Sequence, residues 1–106
     1  MALSEQEFRI KSDEALQQAR RALMSLADDD AGFELELQNG VLQIVFEEPS
    51  ATKFVVSPNA PVRQIWVSAM SRSYKLAWSD ERSAFVLEGE SLDALLERLV
   101  KQFLSA

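Results

Sequence analysis

The stretch "FELELQNGVLQIVFEE", residues 33–48, constrains the fold more than any other part of the chain. Asn39-Gly40 stands between two runs that alternate apolar and polar residues. A two-residue hairpin turn needs positive φ at both central positions, which Gly adopts freely and Asn tolerates. Such a turn pairs Gln38 with Val41, and the rest of the register follows. Leu37 then faces Leu42, Leu35 faces Ile44, and Phe33 faces Phe46. Every pair on that face is apolar, whereas the opposite face pairs Glu36 with Gln43 and Glu34 with Val45. A slip of one residue would turn the apolar set to water. The hairpin therefore has one core face and one wet, acidic face.

The same two-residue period raises a question in "NAPVRQIWVSA", residues 59–69. After Pro61 the chain reads as a strand in which Ile65, Val67 and Ala69 share one face. Gln64, Trp66 and Ser68 share the other, so the largest side chain available sits in the polar row. Either a second layer covers that row, or Trp66 stands at the surface. Strands are also predicted at "KFVVS", "SYKLAW" and "AFVLE", bounded by Pro, Ser, Asp and Glu turns. Tyr74, Leu76 and Trp78 alternate onto one face, which assigns them to the core, and Lys75 and Ala77 onto the other.

Helices flank these strands. In "LSEQEF" Ser4 and Glu7 form a capping box, and Leu3 with Phe8 matches a hydrophobic staple. Phe8, Ala15, Leu16, Ala19, Leu23 and Leu26 then form one stripe at helical spacing. The helix is expected to end near "DDDAG", where three aspartates oppose the negative end of its dipole. In "ESLDALLERLVKQFL" Ser91 is the N-cap. Leu92, Leu95, Leu96, Leu99, Val100, Phe103 and Leu104 make the second apolar stripe. The order is helix, about six strands, helix. That predicts an α+β sandwich with both terminal helices on one face of an antiparallel sheet. The opposite sheet face is left bare, and Trp66 lies on it.

With 106 residues the chain makes one domain, spanning 1–106. It contains no Cys and no His, so it offers neither thiolates for an iron–sulfur cluster nor a Ser–His or Cys–His nucleophile pair. No apolar run approaches the roughly 20 residues that span a membrane. The net charge of −6 is uneven: residues 1–48 hold eleven acids and four bases, and the remainder holds six acids and seven bases. Between Arg21 and Lys53 there is no base, but there are seven acids: Asp28, Asp29, Asp30, Glu34, Glu36, Glu47 and Glu48. Phosphate binding needs clustered Lys and Arg, so nucleic acid is not an expected partner. Such acids serve as a solvated edge, as contacts for a basic protein, or as weak oxygen ligands for a hard cation.

The order of elements and several words within them resemble the frataxin family over nearly the whole chain. The best match is "FVVSPNAPVRQIWVSA", similar to a family strand, an Asn/Gln-x-Pro turn and a Gln–Ile/Val–Trp strand. "NGVLQIVFE" is similar to the second strand, "SYKLAW" to the fifth, and "EGESLDALLERL" to the closing helix. The resemblance implies a frataxin-like α-β sandwich that binds iron weakly through surface carboxylates. It also implies docking on the cysteine desulfurase–scaffold complex of iron–sulfur cluster assembly, modulating sulfur production or iron delivery. No transit peptide precedes the first helix, so a bacterial form, monomeric and cytoplasmic, is expected. The metal candidates are Asp28, Asp29, Asp30, Glu34 and Glu36; the partner candidates are Trp66, Gln64 and Asn59.

One departure is visible. Frataxins carry an acidic ridge along the later turns of the first helix, where this chain has Arg20, Arg21, Met24 and Ser25. The bland alternatives are solvated acids and a Trp used in cross-strand packing. Two other functions stay open: an iron(II)-oxidising protein and a metal-independent acidic adaptor. A di-iron oxidase normally uses a Glu-x-x-His motif, which is absent here.

Overall fold

The computed structural model describes residues 3–26, 32–48 and 50–105. Helix α1 (Glu5–Leu26) opens as its sequence predicts. Ser4 N donates to Glu7 Oε1 at 3.0 Å, and Glu7 N donates to Ser4 Oγ at 3.1 Å. The bond from the Ser4 backbone N–H, and after it the Ser4 hydroxyl, hold the Glu7 carboxyl below the ordinary carboxylate range. Phe8, Leu16, Ala19 and Leu23 are buried, and Ser12 sits in the same stripe. Its hydroxyl donates to the Arg9 carbonyl at 3.2 Å, so the buried polar group is satisfied locally.

The strands are β1 (Phe33–Gln38), β2 (Val41–Phe46), β3 (Thr52–Asn59), β4 (Gln64–Ala69), β5 (Arg72–Ser79), β6 (Ala84–Leu87) and β7 (Glu90–Ser91). Helix α2 (Leu92–Leu104) closes the described chain. Each strand pairs antiparallel with its neighbour in sequence, giving a meander in the order β1 to β7. The β1–β2 register is the expected one at all six pairs, from Gln38–Val41 to Phe33–Phe46. The expected six strands become seven because Glu90 and Ser91 pair with Leu87 and Val86 before α2 begins. Ser91 does both jobs, since its Oγ also accepts from Ala94 N at 3.3 Å.

One face of the sheet carries the core. Leu42, Ile44, Phe46, Phe54, Val56, Ile65, Val67, Leu76 and Phe85 are buried against Leu16, Leu23, Leu95, Leu96 and Leu99 of the helices. Phe46 is the aromatic centre, with ring centroids 4.7 Å from Phe54 and 4.6 Å from Phe103. Tyr74 and Trp78 are half-buried and pack against this core, on the face that alternation assigns them. Among the described residues, helices therefore cover one sheet face only.

The turns differ in how well their residues suit them. Asn39 (φ 53°) and Gly40 (φ 75°) adopt the two positive angles that their types favour. Between β4 and β5 the same task falls to Met70 (φ 49°) and Ser71 (φ 64°), with Ala69 paired to Arg72 across the turn. Left-handed backbone costs an ordinary residue about 1–2 kcal/mol. Replacing the pair by Asn-Gly (Met70→Asn with Ser71→Gly) should therefore stabilise the protein by about 1–2 kcal/mol, a rise of several degrees in melting temperature. An unchanged or lowered thermal midpoint would show that this hairpin tip holds no strain.

Candidate functional site

Strand β4 begins at Gln64, later than the run after Pro61 suggests. Ala60–Val62 form a 3-10 turn, and Arg63 takes a left-handed conformation (φ 52°) before Gln64 enters the sheet. The Arg63 guanidinium donates to the Ala60 carbonyl and, at 3.2 Å, to the Leu3 carbonyl. It thus ties the β3–β4 turn to the start of α1 and fixes the point from which β4 alternates. Ile65, Val67 and Ala69 are buried, while Trp66 is 37% exposed. The phase is the expected one: Trp66 stands on the sheet face that no helix covers.

Its neighbours hold it there. Trp66 lies opposite Ser57 of β3 and Lys75 of β5. Its indole Nε1 donates to Gln64 Oε1 at 2.9 Å, a contact possible because residues two apart on a strand share a face. Lys75 Nζ lies 4.9 Å from the ring centroid, worth about 0.5–1 kcal/mol at an exposed site. Asn59 pairs with Gln64 across the β3–β4 ladder. The structure therefore brings Asn59, Gln64 and Trp66 together, and it adds Ser57 and Lys75. The indole edge is held by an amide and its π-face by an ammonium, which leaves a preoriented amphipathic surface.

The metal candidates are more dispersed. Asp28, Asp29 and Asp30 lie outside the described residues. Glu34 and Glu36 are exposed on the wet face of β1, the strand at the sheet's edge. Strand geometry sets them about 6.6 Å apart along the chain. Glu34 also lines a shallow hollow of about 280 Å³ with Glu47 and Glu48. Among the described residues, no three Asp, Glu, His or Cys side chains converge as a metal site. Exposed carboxylates of this kind are open, weak oxygen donors for a hard cation. On α1, Arg20 and Arg21 are exposed, so the helical part of the surface is basic there.

Lys75 was assigned to the outer face by alternation, but its place over Trp66 depends on a two-residue β4–β5 turn. Met70-Ser71 gives no Asn or Gly signal for one, so the pairing could not be anticipated.

A frataxin-like domain family matches residues 1–106. The chain is 32% identical over 105 residues to a protein of Pseudomonas fluorescens named iron-sulfur cluster assembly protein CyaY, covering 96% of this chain and 90% of that one. A protein of the same name from Cupriavidus pinatubonensis is 31% identical over 101 residues, covering 94% and 89% respectively. In the solved structures, frataxin from Psychromonas ingrahamii superposes with a TM-score of 0.66 at 16% identity, over 94% of this chain and 91% of that one. That likeness concerns the fold, two helices against one face of an antiparallel sheet. With the domain matched end to end and its sheet and helices in place, this chain belongs to the frataxin family.

Proposed function

We propose that this protein acts in iron–sulfur cluster assembly as a non-catalytic module that docks on a cysteine desulfurase–scaffold complex in the cytoplasm. The observation that carries this reading is Trp66, held outward on the uncovered sheet face between Gln64 and Lys75. An exposed, preoriented Trp ringed by polar groups has the makeup of an interface centre. Relatives about one-third identical bear the name of iron–sulfur cluster assembly proteins, which supplies the pathway. The acidic edge at Glu34 and Glu36 suits a basic partner surface, and it offers iron a weak, exchangeable foothold. Docking through both features would place bound iron beside the partner and let the module modulate sulfur production or iron delivery.

The docking face is separable from the core by single substitutions one residue apart. Trp66→Ala should weaken binding to a purified cysteine desulfurase–scaffold complex by ~2 kcal/mol or more, about thirty-fold. Its effect on stability should fall well below the ~3–5 kcal/mol of emptying a core aromatic site. Ile65→Ala should do the reverse, lowering stability by ~2–5 kcal/mol while leaving the docking face intact. If Trp66→Ala binds like wild type, the exposed indole is only a surface packing residue.

Iron(II) should perturb the nuclear magnetic resonance signals of residues 28–36 first, with micromolar or weaker affinity. Oxygen uptake should stay at the rate of buffer with iron(II) alone. Perturbation confined to residues such as Asp80 and Glu81 would remove the acidic edge from this account. Accelerated oxygen uptake would favour an iron-oxidising activity instead.

A further inference from the structure

On the helical side of the sheet, α1, the β5–β6 hairpin and the first turn of α2 enclose a hollow of about 390 Å³. That volume falls within the usual range of small-molecule sites. Its apolar wall is aromatic: Trp78 and Phe85 meet edge to face, centroids 5.2 Å apart and ring planes at 71°. The charged groups around it fall into two sets. Lys11 lies 5.7 Å from the Trp78 ring centroid and pairs with Glu14 at 3.7 Å, so those two compensate each other. Asp93 and Arg21, which line the same hollow, make no ion pair among the described residues.

Asp93 is the more telling of the two. It is half-buried, and among the described residues its side-chain bond comes from a neutral donor, Gln18 Nε2 to Asp93 Oδ2 at 3.2 Å. Burial pushes its carboxyl above the ordinary range, and among the described residues no cation pairs with it. Arg21 follows Gln18 by three residues on α1 and therefore projects from the same side of the helix. A simple cation bound here would satisfy Asp93 but meet Arg21 as a like charge. A simple anion would satisfy Arg21 but meet Asp93 as a like charge. A ligand carrying both charges a few bonds apart compensates both groups.

We propose that this hollow binds a small zwitterion, a free α-amino acid with an apolar side chain. Its ammonium sits on Asp93, its carboxylate on Arg21, and its side chain on Trp78 and Phe85. With about nine heavy atoms in a solvent-open hollow, a dissociation constant on the order of 1 mM is expected.

The test is a ¹H–¹⁵N resonance titration of the whole protein with L-leucine, using 3-methylbutylamine and 4-methylpentanoate as probes lacking one charge each. Saturable shifts at Gln18, Asp93 and the Trp78 indole N–H are expected with leucine, and at least tenfold weaker responses with either single-charge probe. Asp93→Asn and Arg21→Gln should each weaken leucine binding tenfold or more. Asp93→Asn should hold or raise the melting temperature, because it removes a carboxylate whose charged form burial disfavours. Arg21→Gln changes an exposed position and tests the site independently of that effect. Absence of saturable shifts, an equal response to the amine alone, or leucine binding unaltered in both variants would overturn the proposal.

Discussion

A single constraint organises this molecule: an antiparallel sheet whose side chains alternate, covered by helices on one face and not on the other. Every strand must send its apolar set to α1 and α2, so every strand also sends a row outward. On β1 that outward row is Glu34 and Glu36; on β4 it is Gln64, Trp66 and Ser68. Core and candidate docking surface are thus two sides of one register. Ile65 and Trp66 are neighbours in sequence but differ from buried to exposed. A substitution that disturbs the register disturbs both faces, whereas an outward substitution leaves the core alone.

The outward face is electrically divided. Its edge at β1 carries carboxylates, while the region around Trp66 carries neutral polar groups and the ammonium of Lys75. The basic charges of Arg20 and Arg21 lie elsewhere, on α1. A partner that meets both the β1 edge and Trp66 therefore needs a basic patch set apart from a pocket for an indole. Such a two-part match specifies orientation as well as attraction, because like charges in the wrong docking pose are repelled. The indole is already fixed by Gln64 and Lys75, so less side-chain freedom is lost on binding than for a mobile Trp.

How far the sequence reveals this depends on the strength of each local signal. Asn39-Gly40 names its own turn, and all six pairs of the β1–β2 ladder follow from it. The capping box at Ser4 and Glu7 and the cap at Ser91 are equally legible, since short-range hydrogen bonds specify them. The phase of β4 is legible because three apolar residues agree. Three features escape for physical reasons. Strand β7 is two residues long and shares Ser91 with the cap of α2, so no periodicity exists to betray it. The β4–β5 turn uses Met70 and Ser71 in a conformation they disfavour, which hides the pairing of Trp66 with Lys75. The hollow beside Asp93 joins residues from both ends of the chain, a juxtaposition created only by packing. Of the acidic candidates, Glu34 and Glu36 are placed on the expected wet face. The three aspartates before them lie outside the described residues.

On the proposed function, the uncovered sheet face, and not the helical side, would meet the assembly machinery. The most direct measurement is a resonance footprint: ¹⁵N-labelled protein mixed with an unlabelled cysteine desulfurase–scaffold complex, following the loss of individual signals. Attenuation is expected first at the Trp66 indole N–H and the amides of Ser57, Gln64 and Lys75, with α2 signals retained. A footprint centred on α2 and the exposed side of α1, with the Trp66 indole unaffected, would contradict it.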